Sequence, residues 1–166
     1  MKQHTYRIDG GFSFETGGSV STLQVGYHTS PYEYKKGMKV IWICHALTAD
    51  SNAEDWWSAL VGPGKLFDTD KYFIVCGNML GSCYGSSGPS SIDPETGKPY
   101  YFSFPKVTVR DIVRALDAVR EHIGIEHIDP SVIRTQFSVT KDIIQRNLIL
   151  HHRGNLVQYE DAVLPL

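Results

Sequence analysis

The chain has 166 residues, 42% hydrophobic and 20% charged, which suits one compact domain and excludes a wholly disordered chain. Its formal net charge is -2, and only Lys35, Lys36 and Lys39 lie close together, a trio that reads as a solvated loop; there is no basic face for nucleic acid or an anionic membrane. The polar Met1 to Thr5 enters no apolar signal segment, the strongest apolar run is far too short to cross a bilayer, and Cys44, Cys76 and Cys83 lack C-x-x-C spacing, so a soluble, unexported, cytoplasmic protein with reduced thiols and no metal site is expected.

Ser19 to Tyr27 is rich in β-branched residues with partial alternation and predicts a half-exposed antiparallel strand, entered from turns at Gly10-Gly11 and Gly17-Gly18. Lys39 to Cys44 and Tyr72 to Cys76 are nearly continuous apolar runs, the pattern of strands buried on both faces, and they predict neighbouring or near-neighbouring parallel strands. Between them, Ala53 to Leu60 suits a short helix or an ordered loop, closed by the Gly62-Pro63-Gly64 turn. Ser82 to Pro105 is loop-like in its Gly, Pro and Ser content, yet its aromatic residues predict that it packs over something.

Val109 to Ile123 predicts the principal helix, with Val109, Ile112, Val113, Leu116, Val119 and Ile123 on one stripe. Thr108 is its N-cap, Asp111 its N3 residue and Gly124 its C′ residue. Buried strands alternating with long crossovers imply an α/β, mostly parallel sheet with flanking helices. After Asp129-Pro130 the texture changes, and Thr140 to His152 reads as a helix with no strand feeding it. The expected division is therefore residues 1–128 and a tail of residues 129–166.

His45-Ala46-Leu47-Thr48-Ala49-Asp50 follows a buried strand directly, the position from which a backbone N–H can help to bind an oxyanion. Further pieces follow in order: Trp56-Trp57, Val61 to Lys65, Phe67 to Phe73, the block Asn78 to Ser91, Pro94, Thr96-Gly97, Pro99-Tyr100, Phe104-Pro105 and Val107 to Asp111. Together they resemble homoserine O-acetyltransferases over about Tyr6 to Ile128, a family with the α/β-hydrolase fold. The resemblance implies a two-step transfer, in which a serine activated by a His-Asp pair takes acetyl from acetyl-CoA and passes it to the hydroxyl of L-homoserine in methionine biosynthesis. It further implies that the Leu47 backbone N–H serves the oxyanion hole, and that His45, Thr48, Asn78, Gly81, Tyr84 and Ser86 help to wall the active-site tunnel. Acetyl-CoA is then a co-substrate, no cofactor stays bound, and the full-length protein suits a homodimer.

The resemblance stops before the nucleophile. In the family, the segment matching Gly124 to Glu126 leads into a strand and a tight G-x-S-x-G-like elbow. Here no glycine occurs between Gly124 and Gly154, which removes Ser131 and Ser138 as elbow serines, and the family's aspartate and histidine find no counterparts. The expected sheet is thus truncated before the elbow strand. Gly81-Ser82-Cys83-Tyr84-Gly85 offers a G-x-C-x-G decoy, but the Ser-Ser-Gly-Pro that follows cannot start the helix an elbow feeds.

No phosphate-binding P-loop, G-x-G-x-x-G or H-E-x-x-H spacing is present, and His122, Glu126, His127, His151 and His152 read as surface residues. Three alternatives follow from the missing elbow and the versatility of the fold. They are an inactive truncated or frameshifted product, an ester hydrolase, and a succinyl-specific acyltransferase.

Overall fold

The computed structural model describes residues 1–46, 48–126 and 128, together with the backbone of Ile133 and Arg134. The expected helix at Thr140 to His152 lies outside the described residues, as does most of the 129–166 tail. Strands β1 (Lys2–Ser13), β2 (Ser19–Thr29), β3 (Val40–Cys44), β4 (Phe73–Gly77) and β5 (Ile133–Arg134) form one mixed sheet in the order β1-β2-β4-β3-β5. A one-turn helix α1 (Ala53–Trp56) and a long helix α2 (Val109–Ile123) complete the regular elements.

β1 and β2 form an antiparallel hairpin that turns at Gly17-Gly18. Gly10-Gly11 does not turn the chain as expected. Both glycines oppose the single residue Ser21, because the pairing steps from Asp9 with Thr22 to Phe12 with Val20. Their φ angles of +93° and +94° suit glycine, and the pair forms a bulge inside one long strand. The sequence reading missed β1 altogether, although His4, Tyr6 and Ile8 alternate as partly covered positions among exposed ones.

β3 and β4 are adjacent and parallel, with Val40 opposite Phe73 and Ile43 opposite Cys76. Their runs are continuous because both faces are covered. Val40, Trp42, Phe73 and Val75 face the larger core with Leu116 and Val119 of α2, whereas Ile41, Ile43, Ile74 and Cys76 face a second core with Ala53, Val61 and the partly buried Trp56, Trp57 and Phe67. Each large side chain so buried contributes about 1.5–3 kcal/mol relative to exposure.

α2 begins and ends where its sequence dictates. Thr108 and Asp111 form a reciprocal capping box, and Gly124 closes the helix at φ 82°. Val113, Ala115, Leu116 and Val119 are buried and Ile112 is half-buried, so the apolar stripe lies on the sheet. β5 pairs with β3 through Ile43 with Ile133 and Cys44 with Arg134. The sheet thus extends one short parallel strand beyond the point at which truncation was expected. The 82–105 loop packs only in part: Phe104 is buried, but Tyr84, Tyr101 and Phe102 are exposed, Phe102 completely. Among the described residues, no helix is long and apolar enough to cross a membrane.

Candidate functional site

Parallel pairing brings the carboxyl ends of β3 and β4 side by side, so the loops that follow Cys44 and Gly77 share one end of the sheet, where α/β folds commonly place their ligands. β2 runs antiparallel to β4 and continues past that end. Gly26 sits at the junction. A Cβ there would lie 3.0 Å from the Tyr84 carbonyl oxygen and 3.1 Å from the Gly85 carbonyl carbon, so its absence lets the 84–86 backbone close onto β2.

Asn78 ties three segments together. Its backbone N–H donates to the Gly26 carbonyl at 2.8 Å, its Oδ1 accepts from the Ser51 N–H at 2.7 Å, and its Nδ2 donates to the Tyr84 carbonyl. Ser86 Oγ donates to the Asn78 carbonyl at 2.9 Å and accepts from the Gly26 N–H at 3.1 Å. Ser51, fully buried, places its Oγ 2.7 Å from His28 Nδ1. Burial holds the His28 pKa below the usual histidine value, against the opposing pull of Asp50. Neither Ser51 nor His28 was singled out from the sequence; they stand 23 residues apart and meet only through the fold.

His45 is buried and its Nδ1 lies 2.8 Å from the Ala46 carbonyl, an acceptor only, so Nδ1 carries the proton. Nε2 then accepts from the Met79 N–H at 3.4 Å. The Nδ1 bond fixes the ring within its own loop, and the Nε2 bond joins that loop to the one after β4. Thr48 is exposed at the turn, and the Leu47 oxyanion assignment lies outside the described residues. Asp50 orders the remainder of this loop, accepting from Asn52 N–H through Oδ1 and from Trp56 Nε1 through its carbonyl.

The structure therefore joins Asn78, Tyr84 and Ser86 in one hydrogen-bonded knot and links His45 to it through Met79. Gly81 lies apart from the knot, donating its N–H to the Ser87 carbonyl at 2.8 Å. Cys83 is exposed in a stretch of bends with no helix after it. Buried Cys76 has a thiol pKa pushed well up by desolvation, which makes it a poor nucleophile. Among the described residues, no group of His, Cys, Asp and Glu could hold a metal ion.

Beside the knot, a cleft of about 550 Å³ separates the outer part of the β1–β2 hairpin from the 82–104 loop. Ser86, Gly85 and Cys83 reach its wall, whereas His45, Thr48, Asn78, Gly81 and Tyr84 do not. The arrangement offers rigid, backbone-lined loops at the end of a parallel sheet, as an oxyanion-binding scaffold requires, but among the described residues no strand–elbow–helix carries a nucleophile.

No protein-family model matches the chain. Homoserine O-acetyltransferase of Cyclobacterium marinum is 47% identical over 129 residues, which cover 78% of this chain and 37% of that protein. Among solved structures, homoserine O-acetyltransferase from Bacillus anthracis is 31% identical with a TM-score of 0.66, covering 76% of this chain and 38% of the other. Esterase E22 is 29% identical with a TM-score of 0.66, covering 76% and 39%. The chain thus spans only about a quarter to two fifths of the length of the relatives it matches. Over that span it is a homologue of the amino-terminal part of homoserine O-acetyltransferases and shares their α/β-hydrolase fold.

Proposed function

We propose that this chain represents the oxyanion-loop portion of an acyltransferase that moves acetyl from acetyl-CoA to the hydroxyl of L-homoserine, a step of methionine biosynthesis in the cytoplasm. In this reading the loop after β3 supplies backbone donors to the tetrahedral intermediate, and the Asn78 knot holds that loop against the loop after β4. Among the described residues, none stands in the strand–elbow–helix that the nucleophile of such a transfer requires. Acetyl-CoA and L-homoserine are the small-molecule partners, with a homodimer as the full-length form.

The observation that carries the reading is 47% identity to a homoserine O-acetyltransferase, well above the 29% to an esterase of the same fold. The esterase likeness nevertheless supports a second reading, acetyl ester hydrolysis, because water and homoserine compete for the same kind of acyl-enzyme.

A chimera joining residues 1–128 to the remaining part of the Cyclobacterium relative separates the two readings. Homoserine-dependent release of CoA is expected from the chimera and none from the chain alone. A folded chimera that hydrolyses acetyl esters without acylating homoserine would overturn the transferase reading. Activity with succinyl-CoA in place of acetyl-CoA would overturn the choice of donor.

A further inference from the structure

The loop after β3 is anchored by a histidine of β2. Ala49 N–H donates to the Ala46 carbonyl at 3.0 Å and closes the first turn of that loop. Two residues later Ser51 fastens it. The Ser51 N–H donates to Asn78 Oδ1 at 2.7 Å, its carbonyl accepts from the Ala53 N–H at 3.1 Å where α1 begins, and its Oγ lies 2.7 Å from His28 Nδ1. His28 belongs to the sheet, because β2 pairs it with Gln3 on one side and Cys76 on the other. Ser51 is completely buried, and among the described residues its hydroxyl hydrogen has no acceptor but His28 Nδ1. Nδ1 is therefore the bare nitrogen of the ring, and Nε2 carries the proton.

We propose that His28 is a positioning residue for acyl transfer: its neutral ring accepts from the Ser51 hydroxyl and so holds the loop after β3 where its backbone donors meet the oxyanion. This role rests on the acyltransferase reading above. A protonated ring must donate from Nδ1, and the Ser51 hydroxyl must then turn its hydrogen into buried surroundings without an acceptor. Acid that charges His28 therefore loosens Ser51 and the turn that it fastens. Burial is the largest influence on the ring and favours its neutral form. The Met1 ammonium, engaged by Glu54, and His4 on β1 act the same way, whereas Asp50 in the loop and Asp55 in α1 favour the charged ring. Cys76, opposite on β4, stays a neutral thiol.

Two experiments test this role. In the isotope-labelled chain, magnetic resonance is expected to show the Ala49 and Ser51 amides shifting together with the His28 ring, with a midpoint below about pH 6.5, and the same amides indifferent to that pH range in His28→Asn. In the chimera, His28→Ala is expected to lower kcat about tenfold at neutral pH with KM for acetyl-CoA unchanged, because an oxyanion donor acts in the transition state. His28→Asn, whose Oδ1 takes over the hydrogen bond of Nδ1, is expected to recover most of that loss and to decline less steeply toward acid than the unsubstituted chimera. Amides that ignore the His28 titration, or equal losses of kcat in the Ala and Asn variants, would overturn the proposal. Homoserine acylation at a rate indifferent to His28→Ala would uphold the function and overturn the role of His28. Hydrolysis of acetyl esters without acylation of homoserine, with the same contrast between Ala and Asn, would uphold that role and overturn the transferase reading. If His28→Ala loses its thermal transition, the amide titration and the pH profile of His28→Asn decide alone.

Discussion

Asp111 is fully buried and accepts hydrogen bonds from the Thr108 N–H and hydroxyl, from the Glu15 N–H just beyond β1, and from Arg114. One carboxylate therefore caps α2 and fastens it to the hairpin. Asp111→Ala leaves two backbone donors without their acceptor, and chemical denaturation is expected to show a loss of about 3 kcal/mol. At Gly77 a Cβ would run into Leu116 Cδ2, so Gly77→Ala is expected to cost about 1–3 kcal/mol. Shortening Leu116 to Ala relieves that clash, and the double variant should lose less than the sum of the two single losses. Asp68 accepts from the N–H groups of Gly64 and Asp70 and pairs with Lys71, with the Gly64 bond the largest of the effects that lower its pKa to about 2. Because the folded value lies below the unfolded one, Asp68 stabilises the fold above about pH 4 and loses that contribution as the pH falls toward 2. His4 and His28 also have lowered values, chiefly through burial, so the fold favours their neutral forms. Stability should then decline as the pH falls below about 6.5, and the double variant His4→Gln/His28→Gln should flatten that part of the pH profile.

At the scale of elements, α2 and the β3–β4 pair hold the molecule together. Leu116→Ala removes a side chain packed between helix and sheet and is expected to cost about 2–5 kcal/mol. These elements were legible in the sequence because local rules suffice for them: a 3.6-residue stripe with both caps defines α2, and apolar runs flanked by turns define β3 and β4. β1 was less legible. Its outer half is largely exposed, so it lacks a strong apolar signal, and its Gly10-Gly11 pair looks like a turn until the partner strand reveals a bulge. The Asn78 knot was only half legible. The sequence block marks Asn78, Tyr84 and Ser86, but no local pattern links them to Ser51 and His28, because those contacts depend on strand order. Asn78→Ala leaves the buried Ser51 N–H without its acceptor; hydrogen exchange is expected to show faster amide opening in the loops after both strands, with α2 unchanged.

At the scale of the whole molecule, the β1-β2-β4-β3-β5 order places two rigid loops at one end of a parallel sheet and sets β5 beside β3. A single sequence could indicate the parallel pair but not its neighbours, since long-range strand order is decided by packing rather than by local propensity. In the proposed function the loop after β3 serves as an oxyanion scaffold, and among the described residues no strand–elbow–helix carries a nucleophile. Incubation of the purified chain with acetyl-CoA, followed by intact mass measurement and peptide mapping, tests this reading most directly. The mass is predicted to remain that of the unmodified chain, with Cys83 free. A stoichiometric acetyl group on Cys83, lost when homoserine is added, would contradict the account and make the exposed cysteine a working nucleophile.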